Sequence, residues 1–163
     1  MAVDLTLILI VLATLVNGLL AGTSFDKALV QLPARKRMEI SEFAAFSRAN
    51  DLGNGLVVYP VTGIAAALLS LAAAASAILQ GATLMQAWPL YIAALLAVLH
   101  SITTARAAPN MLSLRGAGSD ETVLANTLDR FARWHNVRAV LQLLNFVMLV
   151  WGLVTYLSTH ASF

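Results

Sequence analysis

Residues 134–145, WHNVRAVLQLLN, are where spacing and residue type together could do chemistry. His135, Arg138, Gln142 and Asn145 recur at steps of three, four and three, so an α-helix carries all four on one face over about three turns. Val137, Val140, Leu141, Leu144, Phe146 and Val147 cover the other faces. A polar row on an apolar helix is costly in lipid unless it faces a bundle interior or a wet cavity. The row is therefore the leading candidate for a functional site. Its residue types suit acid–base work: His135 to remove a proton at neutral pH, Arg138 with the neighbouring amides to stabilise an oxyanion. The alternative is a purely structural polar seam between helices.

Other polar residues fall at the same level of the chain. Thr23, Asp26 and Lys27 share roughly one face near the end of the first apolar segment, and Asp26 is the acid expected to face the His135–Arg138 row. Asn50, Asp51 and Asn54 follow the first loop, where the bland reading is a turn and a helix cap. His100, Thr103 and Thr104 lie near the end of the third apolar segment. Two histidines at one level invite a metal, with Asp26 or Asp51 as a third ligand. No H-E-x-x-H or E-x-x-H spacing supports one, so a metal or haem at His100 and His135 is the minor reading. A Ser-His-Asp triad lacks a nucleophile elbow. Cysteine is absent, which removes thiolate chemistry and disulfides.

The elements that must hold these residues are apolar helices. Of 163 residues 60% are hydrophobic and only 11% charged, with mean hydropathy +0.80, so lipid is the solvent and one integral membrane domain, 1–163, is expected. Four spans are read at about 5–32, 56–79, 89–108 and 120–158. Asp4 stands where a signal peptide carries basic residues and no small-x-small site follows, so the first apolar run is read as a span. Pro33 closes the first span and Pro109 the third; Pro60 bends the second or sits near its start. Ser41 is expected to cap a short amphipathic helix from Glu42 to about Ala49, with Phe43 and Phe46 on the membrane. Ser119, Asp120 and Glu121 open a second amphipathic segment that runs into the last span. Short connections and no repeat make this an all-α, up-down four-helix transmembrane bundle with short amphipathic helical segments in loops 1 and 3. The Gly18/Gly22 pair and the alanine run 72–75 leave bare helix surface, which suggests a homo-oligomer.

All ten Lys and Arg residues fall in or beside loops 1 and 3, from Lys27 to Arg48 and from Arg106 to Arg138. The positive-inside rule puts those loops in the cytoplasm and both termini outside, as a multi-pass protein of the inner or plasma membrane. No basic run is interleaved with stacking aromatics, so nucleic acid is not expected as a partner.

The segments GLLAGTSFDKALVQLPARKRM, FSRANDLGNG and RWHNVRAVLQLLNF resemble the integral membrane anthrone oxygenase-like family. The resemblance rests on scattered positions over nearly the whole chain: a glycine-containing first helix ending at Pro33, an asparagine at Asn50, and Trp134, His135 and Arg138 opening the last span. The RKR cluster, Asp26 and Lys27 match no family position. It implies a small four-helix membrane fold and, as in fungal members, oxidation of anthrones to anthraquinones by molecular oxygen without a bound cofactor. An anthrone has an acidic CH2 whose anion reacts with oxygen directly, so the protein must supply a base, an oxyanion site and an apolar pocket. The expected site is then His135, Arg138 and Asp26 as catalytic residues, with Asn50, His100, Trp134, Gln142 and Asn145 around a lipophilic aromatic, anthrone- or quinol-like, small molecule. A non-catalytic membrane subunit is the competing class. A transporter is third, since no broken-helix pair favours it.

Overall fold

The structure, a computed structural model, describes residues 4–160, and of His160 the backbone alone. Helix α1 spans Leu5–Arg37. Its entry turn is capped by Asp4, whose carboxylate accepts the Leu7 N–H at 3.1 Å. It is α-helical to Asp26, widens into a π turn over Lys27–Gln31, and tightens into a 3-10 turn over Arg35–Arg37. Pro33 does not end it, contrary to expectation. The Leu32 N–H reaches back to the Lys27 carbonyl, and this wider turn is where the helix makes room for a ring that cannot donate to the preceding turn.

Helix α2, Ile40–Asp51, lies in loop 1 and buries Phe43, Ala44, Ser47 and Asp51 on one face. It starts before Ser41, and its N-cap is Glu39 with no side-chain bond. Phe43 points into the protein, while Phe46 stays exposed. Arg48 pins this helix to loop 3 by donating to the carbonyls of Leu114 (3.0 Å) and Gly118 (2.9 Å). Arg35 adds a tie to Asp129 at 2.8 Å.

Helix α3 spans Gly55–Leu79 with Pro60 inside it. Helix α4 spans Leu84–Leu112 and holds both Pro89 and Pro109 in its interior. The helix exceeds the expected limits, 89 and 108, at both ends, and its early start has an identifiable reason. Thr83 and Gln86 form a capping box, with the Thr83 N–H donating to Gln86 at 2.9 Å, and that starts the helix a turn and a half before Pro89. Helix α5, Glu121–His160, is one uninterrupted helix of 40 residues, so the amphipathic segment of loop 3 and the last span are a single rod. Its cap is Asp120: one carboxylate oxygen accepts from the N–H groups of Thr122 (2.9 Å) and Val123 (3.1 Å).

The long helices α1, α3, α4 and α5 run up and down, each packed on its chain neighbours, with α5 closing back on α1. All four are long and apolar enough to cross a membrane. Two apolar cores sit at opposite ends. Near loop 2, Ala73, Ala74 and Ala77 of α3 meet Ala87, Leu90 and Ala93 of α4. Gly152 lets α5 close in there, because a Cβ on it would collide with the Leu90 side chain. At the other end Phe43 of α2 joins Met111, Leu114, Leu124, Leu128 and Phe131 in a cap over the bundle. The small-residue pairs serve mainly this internal packing. A Cβ on Gly18 would lie 2.9 Å from the Phe146 ring, whereas Gly22 faces open space, and Ala73 and Ala74 are buried inside the bundle.

Candidate functional site

The polar row of α5 divides into two parts with different surroundings. The upper part is His135 and Arg138. His135 is 1% exposed, and Phe131, one turn earlier, stacks on it with ring centroids 5.5 Å apart. Nη2 of Arg138 donates to Nδ1 of His135 at 3.0 Å. An arginine offers donors and no acceptor, so Nδ1 must present its lone pair. Nε2 therefore carries the proton and donates it to the Ser24 carbonyl of α1 at 3.2 Å. Both ring nitrogens are occupied, and in this arrangement neither is free to take a proton from a substrate. What His135 does here is join α5 to α1 and orient the guanidinium.

The lower part is Gln142 and Asn145, expected to contact a substrate. Neither lines the cavity. Both donate to Oδ1 of Asn17, at 2.8 and 2.9 Å. The Asn17 amide in turn donates to the carbonyls of Ala13 (2.8 Å) and Ala66 (3.2 Å) and to the Ser70 hydroxyl (3.1 Å). One asparagine thus links α1, α3 and α5 within lipid, where unsatisfied amides are expensive. These residues form a structural node.

The acid at the upper site is Asp51, and Asp26 does not face the row. Asp26 is exposed and takes a hydrogen bond from Gln31 at 2.6 Å on the outside of α1. The inward stripe of α1 runs Asn17, Leu20, Ala21, Ser24, Lys27, and adjacent helical residues differ by about 100° in direction. Lys27 is the inward one. It forms a buried ion pair with Oδ1 of Asp51, the last residue of α2. Its ammonium also sits 5.4 Å from the Phe131 centroid and 5.9 Å from that of Tyr59, within cation–π range. Oδ2 of Asp51 has no hydrogen-bond partner. Asn50 is half-buried and donates to Asp51 from 3.4 Å, supporting the carboxylate from outside the cavity.

Lys27, Asp51, Tyr59, His100, His135 and Arg138 share the wall of one cavity of about 560 Å3. Apart from these, and Thr23, Ser24, Ser101 and Thr104, the lining is apolar: Leu20, Leu56, Ile64 and Leu68 are typical, with Pro60 and Gly63 contributing little bulk. The cavity exists because α3 and α4 are packed on alanines near loop 2 and stand apart along 55–68 and 100–112. Ile64, Leu68 and Leu112 are exposed members of the lining, which places the mouth between α3 and α4, on the side that faces lipid. His100 is buried, with Thr104 Oγ1 3.5 Å from Nε2. Trp134 is 37% exposed and lies outside the cavity wall. Among the described residues no three His, Asp or Glu side chains are grouped as a metal ion would need.

Of the expected residues, then, His100, His135 and Arg138 meet at one cavity. Asp26, Asn50, Trp134, Gln142 and Asn145 do not line it. Lys27, Tyr59 and Ser24 were not singled out for it, although the Asn17–Ala21–Ser24 stripe already points Lys27 inward. No known family's model matches the chain, and comparison with curated proteins and with solved structures likewise finds no match.

Proposed function

We propose that the cavity between α3 and α4 binds a lipophilic, ring-containing small molecule drawn from the bilayer, and that the protein oxidises it with molecular oxygen as an anthrone oxygenase-like enzyme. The observation that carries the binding half is the cavity itself: about 560 Å3, walled by apolar side chains, with its ionic groups gathered at one end. Small-molecule sites have this size and this division between an apolar wall and a few polar groups. The oxidation half draws its support from the resemblance in the first and last spans. In that reaction an acidic CH2 loses a proton, its carbanion adds one O2, and the hydroperoxide expels water to leave a ketone. The proton acceptor in this reading is Asp51, the one acid in the cavity wall, whose Oδ2 is buried and has no hydrogen-bond partner; His135 holds Arg138 in place. No cofactor is required by this scheme.

The second reading, a non-catalytic membrane subunit, has one specific observation in its favour: both nitrogens of His135 are already bonded to the protein. Oxygen uptake by the purified protein in lipid nanodiscs, with anthrone supplied, separates the two. Uptake of one O2 per anthrone consumed, lost in Asp51→Asn, is expected. No uptake above the uncatalysed rate, across a set of anthrones and quinols, sinks the enzyme.

The orientation we propose puts loops 1 and 3, with every Lys and Arg, on the cytoplasmic side of the plasma or inner membrane. The homo-oligomer stays a proposal: Gly22 leaves open space on α1 for a second copy.

A further inference from the structure

The charges at the polar end of the cavity do not cancel. Lys27 and Asp51 neutralise each other in a buried ion pair. His135 is neutral by the logic of its two hydrogen bonds, with Nδ1 accepting and Nε2 donating. Arg138 is left over. Among the described residues its one side-chain hydrogen bond is to His135 Nδ1, no carboxylate lies within ion-pair distance of it, and its buried Nε has no acceptor. A guanidinium keeps its charge under all ordinary conditions and offers five donors. The stretch of α5 from Arg138 to its end at His160 is about 33 Å long at ~1.5 Å per residue, which matches the hydrocarbon thickness. With that stretch taken as the span, Arg138 lies at the edge of the apolar layer on the side of loops 1 and 3 and in the cavity wall, where an uncompensated cation is costly and marks a ligand path. The groups around it are the ones a bound anion would meet. Phe131 and Tyr59 are aromatic, Lys27 is already paired, and Asp51 is the one acid in the cavity wall.

Building on the reading of this cavity as a ligand site, we propose that it selects a lipophilic monoanion, an apolar body bearing one carboxylate, phenolate or enolate oxygen, with Arg138 as the counter-ion of that oxygen. The apolar body lies along Leu56, Ile64 and Leu68 towards the lipid-facing mouth, and the anionic end faces the guanidinium. The same chemistry could come from a ring acid or from a free fatty acid.

The test is a set of paired binding measurements on the protein in nanodiscs of phosphatidylcholine, a lipid without net charge. One pair is an anthraquinone carboxylate and its methyl ester; the other is oleate and methyl oleate. The expected result is a carboxylate preferred over its own ester by about tenfold or more, the usual worth of a charge-assisted hydrogen bond. Arg138→Gln erases the preference and Arg138→Lys keeps most of it. Asp51→Asn raises it, because Lys27 then also lacks a counter-ion. The two substitutions act in opposite directions, so a general loss of folding cannot mimic the pattern. Which pair shows the larger preference tells a ring ligand from an acyl one. Equal affinity for acid and ester in the unmodified protein, or a preference unchanged in Arg138→Gln, overturns the inference. A charge preference without oxygen uptake sinks only the enzyme reading. Oxygen uptake without a charge preference sinks only this one, and no binding of any probe removes both.

Discussion

At the residue scale, the lesson of this protein is that a charged side chain in an apolar bundle is defined by its partner. Lys27 and Asp51 are tolerable together because each cancels the other in a site that lipid and aromatic rings keep from water. Removing one leaves the other uncompensated, at a cost of about 3–5 kcal/mol, whereas replacing both with apolar residues is close to neutral. Lys27→Met alone is therefore expected to lower the unfolding midpoint in mixed detergent strongly, and the double variant Lys27→Met/Asp51→Leu to restore most of it. Additive losses in the double variant would contradict the pairing. Asp26→Ala, one residue away but on the outer face, should leave the midpoint where it was. The neighbouring residues thus give opposite results, and helical direction, not composition, is the cause.

At the element scale, contacts between helices are made by a few small or polar residues rather than by bulk. Asn17 is the centre of one such contact, bonded across to α3 and α5. Interhelical hydrogen bonds in membranes average about 0.6 kcal/mol each, and truncating their common partner also strands buried amides at about 1–3 kcal/mol. Asn17→Ala is expected to cost about 2–4 kcal/mol in a reversible unfolding measurement; a change within error would mean that lipid or water replaces the node at no cost. The two glycines of the first span make a sharper comparison. Gly18→Ala pushes a methyl against the Phe146 ring and should destabilise by about 1–3 kcal/mol, the range for overpacking. Gly22→Ala meets nothing and should be neutral or slightly stabilising in a helix. If Gly22→Ala were instead to shift the mass of the detergent-solubilised species, Gly22 would be a contact between copies.

At the scale of the whole molecule, the up-down order of α1, α3, α4 and α5 sends loops 1 and 3 to one end and loop 2, residues 80–83, with Asp4 and His160 to the other. Because the basic residues all sit at the first end, a C-terminal reporter that works only outside the cytoplasm should be active, and one that works only in the cytoplasm should be silent. The reverse result would require the cap made by α2, loop 3 and the start of α5 to face outward. The cap also decides how the cavity is reached. Met111 and Phe131 belong both to the cap and to the cavity wall, so the cap covers the loop side and the open route is between α3 and α4, from lipid.

Much of this was legible in the residues alone. Hydrophobic runs of about twenty residues have only one use, so the four spans, their alternation and the helical segments of loops 1 and 3 follow from composition and spacing. The three-four-three step placed His135, Arg138, Gln142 and Asn145 on one face of α5, and that face is the inner one. Helix limits were less legible, because proline reads as a stop. Pro33, Pro89 and Pro109 instead lie within helices that neighbouring turns or a capping box hold together. Only the tertiary structure could divide the polar row into a cavity half and a packing half. That division depends on which residue of another helix stands opposite: Asn17 facing Gln142 and Asn145 consumes their donors, while Ser24 fixes the His135 ring and leaves Arg138 with donors to spare. Periodicity gives the direction of a side chain from its own axis. It contains nothing about where α3 and α4 part, and that separation is what makes the cavity.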